Sequence, residues 1–135
     1  MIEAVIFDLD NTLLDFMKMK EKCIQAAVES MIDSGLKVDS KYAVNSIFQI
    51  YQKKGWEYQE VFDDFLYSQL GKINYKILAN SIIAYRKSKE ENLLLYPNVR
   101  STLEELSGQG FKLGVVSDAP SREAWIRICS VKLDN

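Results

Sequence analysis

Histidine is absent from all 135 residues. Without imidazole there is no Ser-His-Asp or Cys-His catalysis and no His-ligated zinc. Cysteine is scarce: Cys23 and Cys129 stand far apart with no CxxC spacing, which suits a reducing compartment better than a disulfide scaffold or a metal knuckle. Neither sign of charge dominates, with 17 basic against 19 acidic residues and a net charge of −2. Binding to a phosphate backbone needs a clustered basic excess, so nucleic acid is excluded as a partner. No apolar run approaches the roughly 18–20 residues that span a bilayer. Met1 leads directly into Ile2-Glu3-Ala4-Val5 without a basic, signal-like start. The expectation is a cytoplasmic protein without a membrane partner.

What is present is one domain's length of chain with 47% apolar residues, enough for a packed core. Ala4-Val5-Ile6-Phe7 is a short continuous apolar run ending on Asp8, and Leu113-Gly114-Val115-Val116 is another ending on Ser117-Asp118. Continuous rather than alternating hydrophobicity predicts strands buried on both faces of a parallel sheet. Between them the apolar period is helical. Ile24, Ala27, Val28 and Met31 form one stripe, stopped by Gly35. Asp39 is the N-cap of a second helix carrying Val44, Ile47, Phe48 and Tyr51. Tyr58, Val61, Phe62, Phe65 and Leu66 make a third stripe closed by Gly71, and Asn74 caps a fourth with Leu78, Ala79, Ile82 and Ile83. Four amphipathic helices in series predict an antiparallel bundle. After Tyr96-Pro97-Asn98 come a helix over Val99, Thr102, Leu103 and Leu106, the second strand, and a last helix with Trp125, Ile128 and Cys129 on one face. The expected architecture is α/β: part of a doubly wound, Rossmann-like core over residues 1–13 and 95–135, with a four-helix domain over 14–94 inserted into it.

The stretch Val5-Ile6-Phe7-Asp8-Leu9-Asp10-Asn11-Thr12-Leu13 puts two carboxylates at the C-terminal end of a buried strand, the edge where open α/β sheets bind ligands. Carboxylates this close repel unless a cation lies between them. Oxygen donors with room for waters and a phosphate favour Mg²⁺. Asp8 and Asp10 are therefore the candidate metal ligands.

This string resembles the first motif of the haloacid dehalogenase superfamily, and Leu113–Asp118 resembles its second. The resemblance covers the whole chain and is nearest to archaeal phosphatases with a helical cap. It implies that Asp8 is the nucleophile, forming an aspartyl phosphate. It makes Asp10 the general acid/base, which protonates the leaving group and then activates water. It assigns Mg²⁺ to the Asp8 carboxylate and the Asp10 backbone carbonyl, and the phosphate to the Leu9 N–H, the Ser117 hydroxyl and the Asp118 N–H. Taken alone, Ser117 could also simply begin a turn, and the Asp118 side chain could cap the following helix. Phosphoester chemistry is favoured because members that cleave halides or phosphonates lack an aspartate at the position of Asp10. The implied substrate is a small phosphorylated metabolite. Alternatives are a phosphotransferase or mutase of the same superfamily, and a non-catalytic interaction module built on the helices. Near the site entrance, Phe16, Lys18 and Lys20 are candidate substrate contacts, although lysines beside an apolar stripe more commonly form a solvated face.

The superfamily's third motif, a Lys, and its fourth, an acidic pair, have no counterpart before Asn135. Lys132 comes too early for the one, and Asp134 does not serve as the other. The expectation is that the polypeptide is a fragment or only part of it is represented in these 135 residues, that it is inactive alone, and that its two strands self-associate through their edges, or are disordered there, unless a second polypeptide completes the sheet.

Overall fold

The computed structural model describes residues 1–134. Its elements run β1 (Ala4–Asp8), α1 (Phe16–Asp33), α2 (Ser40–Lys54), α3 (Val61–Leu70), α4 (Tyr75–Asn92), α5 (Val99–Gly108), β2 (Lys112–Val116) and α6 (Ser121–Ser130). The chain forms two compact units: Met1–Met19 with the segment from Leu93 onward, and Lys20–Asn92. The mixed α/β character matches the sequence expectation. The observed division leaves residues 14–19 and 93–94 with the strands.

In the α/β unit, β1 and β2 pair in parallel, in the register Ala4 with Lys112 through Asp8 with Val116. Among the described residues no third strand joins them. Burial therefore departs from the expectation. A strand is buried on both faces only when helices and flanking strands cover it, whereas here Ile6 is 68% and Val116 64% exposed. Leu113 and Val115 are exposed as well. The chain leaves β1 through a tight turn in which the Leu9 carbonyl accepts N–H groups from Thr12, Leu13 and Leu14. The two segments that bound the helical insertion are stitched together by Asp15 N–H to the Leu94 carbonyl and Tyr96 N–H to the Leu13 carbonyl, both 3.0 Å.

Local chemistry explains the helices of the other unit. Asp39 accepts the Tyr42 N–H at the start of α2, as expected of an N-cap. Asn74 does the same for α4 through the N–H groups of Lys76 and Ile77. Gly71 ends α3 at φ 70°, a left-handed conformation cheap only without a Cβ. The stripe residues Ile24, Ala27, Val28 and Met31 of α1 are fully buried and pack with Ile47, Phe65 and Leu66. Among the described residues, no helix is long and apolar enough to cross a membrane.

Two sequence readings change. Lys20 belongs to no solvated face: it is buried, donating to the Tyr85 hydroxyl at 2.6 Å with its ammonium 4.1 Å from the Tyr51 ring centroid. Phe16 is buried too, whereas Lys18 is exposed. In α6 the expected apolar face does not form the packed side. Trp125 is 60% exposed and Cys129 is exposed, while Arg127 is buried. The physical reason lies in what Arg127 finds beneath it.

Candidate active site

Parallel pairing brings the two motif ends to one edge. Because Asp8 stands opposite Val116, the next residue on β2, Ser117, emerges beside the Asp8–Leu9 junction. This juxtaposition depends on register alone: a slip of one residue would send every side chain of the strand to the other face.

Asp8 ends β1 with its side chain exposed. Its Oδ1 accepts the N–H of Leu9 at 2.9 Å. The Leu9 N–H thus already holds an anionic oxygen, while its side chain is fully buried and anchors the turn. Asn11 follows at φ 60°, a left-handed conformation in which Asn is enriched, and its Oδ1 accepts the Met17 N–H. Thr12 is exposed. The loop is therefore fixed by its own hydrogen bonds.

Asp10 is half-buried, and its Oδ2 lies 2.7 Å from Nη1 of Arg127. The guanidinium also stacks on Phe16, with Cζ 4.6 Å from the ring centroid. Sequence reasoning passed over Arg127. The signal that could have found it is charge balance: a second carboxylate beside Asp8 calls for a cation, and only Arg122, Arg127 and Lys132 follow Ser117.

At the β2 end, Ser117 is half-buried and its Oγ accepts the Ala119 N–H at 3.1 Å, forming a local turn. Asp118 is exposed. The N-cap of α6 is Pro120, with no side-chain cap bond, so Asp118 does not cap that helix.

The oxygen donors that would hold a metal are the Asp8 carboxylate and the Asp10 carbonyl. Their hard, all-oxygen character fits Mg²⁺, which keeps most of its waters and takes one or two carboxylates together with a substrate phosphate. Among the described residues no cluster of three or more acidic, Cys or His side chains forms a complete cage. The Asp10 carboxylate is engaged by Arg127, so the donor expected from Asp10 is its backbone oxygen.

Comparison with known proteins bears on the family and the fold. Residues 5–135 match the family model for haloacid dehalogenase-like hydrolases. The glyceraldehyde 3-phosphate phosphatase of Methanocaldococcus jannaschii is 39% identical over 128 residues, covering 95% of this chain and 56% of that protein. The enzyme of the same name from Pyrococcus furiosus is 32% identical over 134 residues, covering 99% and 56%. This chain thus spans little more than half the length of those relatives. Among solved structures, a Thermotoga maritima protein described as a beta-phosphoglucomutase aligns with a TM-score of 0.70 at 22% identity, over 98% of this chain and 57% of that one. A hydrolase from Streptococcus pneumoniae aligns with a TM-score of 0.52 at 19% identity, over 96% and 60%. The structural likenesses establish the fold, and together with the family match they place the chain: it belongs to the haloacid dehalogenase-like hydrolases.

Proposed function

We propose that the complete protein is a cytoplasmic, Mg²⁺-dependent phosphomonoesterase acting on a small phosphorylated metabolite. The names of the relatives make a triose phosphate such as glyceraldehyde 3-phosphate the first substrate to test. The observation that carries the proposal is the shared edge: Asp8 and Ser117 emerge side by side from two parallel strands, with Asp10 on the turn immediately beyond. In the proposed reaction an Asp8 carboxylate oxygen attacks phosphorus. The ester P–O bond breaks as Asp10 protonates the departing alkoxide. Asp10 then takes a proton from water, the resulting hydroxide attacks the aspartyl phosphate, and inorganic phosphate leaves with Asp8 restored. The Leu9 and Asp118 N–H groups and the Ser117 hydroxyl would bind phosphoryl oxygens, the Leu9 N–H exchanging its present bond to Asp8 for one to phosphate. Mg²⁺ bound by the Asp8 carboxylate and the Asp10 carbonyl would offset phosphoryl charge.

Residues 1–13 and 95–135 form part of the catalytic core in this reading, with residues 14–94 as its cap. The exposed strands support the accompanying proposal that another polypeptide segment covers them, and that the 135-residue chain alone self-associates and does not turn over substrate. The test is phosphate release by the full-length protein from glyceraldehyde 3-phosphate and from an aryl phosphate, with and without Mg²⁺. Asp8→Asn is expected to abolish release and Ca²⁺ to inhibit it. Full activity in Asp8→Asn would end the proposal.

A further inference from the structure

We infer that Arg127 is a positioning residue, fixing the direction in which the Asp10 carboxylate is turned and, through it, the proton exchange of Asp10 with the leaving group. The inference rests on the phosphomonoesterase reading above. It begins with a cost. Arginine is almost never fully buried unless paired, yet Arg127 is 2% exposed in a unit whose sheet is largely open. The 2.7 Å bond to Asp10 and the Phe16 ring beneath the guanidinium compensate its burial.

The pair joins residues 117 positions apart, so it does not follow from local sequence. It also acts where the loop needs help. The backbone around Asp10 is pinned by the bonds from Thr12, Leu13 and Leu14 to the Leu9 carbonyl, but those bonds leave the Asp10 side-chain torsions unset. A charged hydrogen bond from a guanidinium held on a ring sets them. The same helix begins four residues after Ser117. One element therefore ties the β2 strand end to the proton-transfer group beyond β1, and a general acid is effective only when held within hydrogen-bond reach of the reacting oxygen.

The experiment is a double-mutant cycle in the full-length protein with Mg²⁺, using an alkyl and a nitrophenyl phosphate. Arg127→Met keeps the stem and removes the bond. It is expected to lower kcat about 10–100-fold on the alkyl ester, distinctly less on the nitrophenyl ester, and to leave KM nearly unchanged. Arg127→Lys should recover part of the loss. In an Asp10→Asn background Arg127→Met should cost nothing further, because its effect runs through Asp10. Losses that multiply in the double variant, or that are equal for both leaving groups, would overturn the inference and leave Arg127 a fold residue. Should Arg127→Met fail to fold in a thermal melt, Arg127→Lys runs the same cycle under the same criteria. Wild-type protein that releases no phosphate from either ester removes the phosphomonoesterase reading and this inference together. Normal wild-type turnover with an additive cycle removes only the inference.

Discussion

Replacing Phe65 by Ala tests whether the helical unit is held by its own core. Phe65 is fully buried on α3 among Phe62, Leu66, Ile47, Tyr51 and Leu78. Truncation removes a ring from a packed site that can collapse only partly, so both the transfer and the cavity contributions are lost, about 3–5 kcal/mol for Phe→Ala. A unit of roughly 70 residues has about 4–10 kcal/mol of stability in total, so this one side chain should carry about 30% of it or more. At about 4–8 °C per kcal/mol for a domain of this size, the melting temperature should fall by at least about 12 °C. Unfolding in urea can be followed by helical circular dichroism and by Trp56 emission, in a Trp125→Phe background that removes the exposed second indole. Trp56 is a suitable reporter because its ring stacks on Tyr51 at 5.7 Å and meets Phe48 edge-on at 6.1 Å. Tyr67, two residues along but 61% exposed, serves as the control, with Tyr67→Ala expected within about 0.5 kcal/mol of wild type. A loss below about 1.5 kcal/mol for Phe65→Ala would refute the packing argument, since the site would then be loose or able to refill.

Asp10→Asn should slow turnover of the full-length protein by about 10²–10⁴-fold, and less for nitrophenyl than for alkyl leaving groups. Equal losses would assign Asp10 to metal support alone. At alkaline pH, burial pushes the Tyr51 hydroxyl up to about 12 and raises Tyr85 in the same direction. A phenol that holds its proton more tightly when folded stabilises fully below about pH 10, its unfolded value, and loses that contribution as pH rises toward 12. An absorbance titration at 295 nm should therefore leave two of the seven tyrosines protonated until the helical unit unfolds; complete ionisation ahead of unfolding would contradict it. At the acid end, the Lys54 ammonium, 2.6 Å away, holds the Asp64 carboxyl below its usual range, with burial opposing and the Tyr58 hydroxyl assisting. That contribution is present above about pH 4 and lost as pH falls through the lowered value. It should be small and weakened by salt, so an acid transition of Asp64→Asn identical to wild type in low salt would show the pair to be idle. For the 135-residue chain, light scattering should show association that Val116→Lys on the exposed strand reduces; a monodisperse wild-type monomer would count against edge pairing.

Much of this molecule is written locally. The caps Asp39 and Asn74, the Gly71 stop and the buried stripe of α1 follow from side-chain chemistry and helical period within a few residues of each position. So do the two apolar strands and the carboxylate pair at Asp8 and Asp10, whose spacing fixes their place on a strand end. Other features needed the folded chain. The parallel register that sets Ser117 beside Asp8 depends on pairing across more than a hundred residues, which no local pattern encodes. Hydrophobicity marked β1 and β2 for burial but could not say what would cover them, and Val116 stands open in this chain. Lys20 and Arg127 show the same division from the polar side. The lysines around Lys20 suit a solvated face and the apolar neighbours of Arg127 name no partner for a charge, yet each is buried because tertiary contacts supply what water would have given: Tyr85 and the Tyr51 ring for Lys20, Asp10 and Phe16 for Arg127. A long cation's burial is decided by partners distant in sequence, so only the tertiary structure determines it.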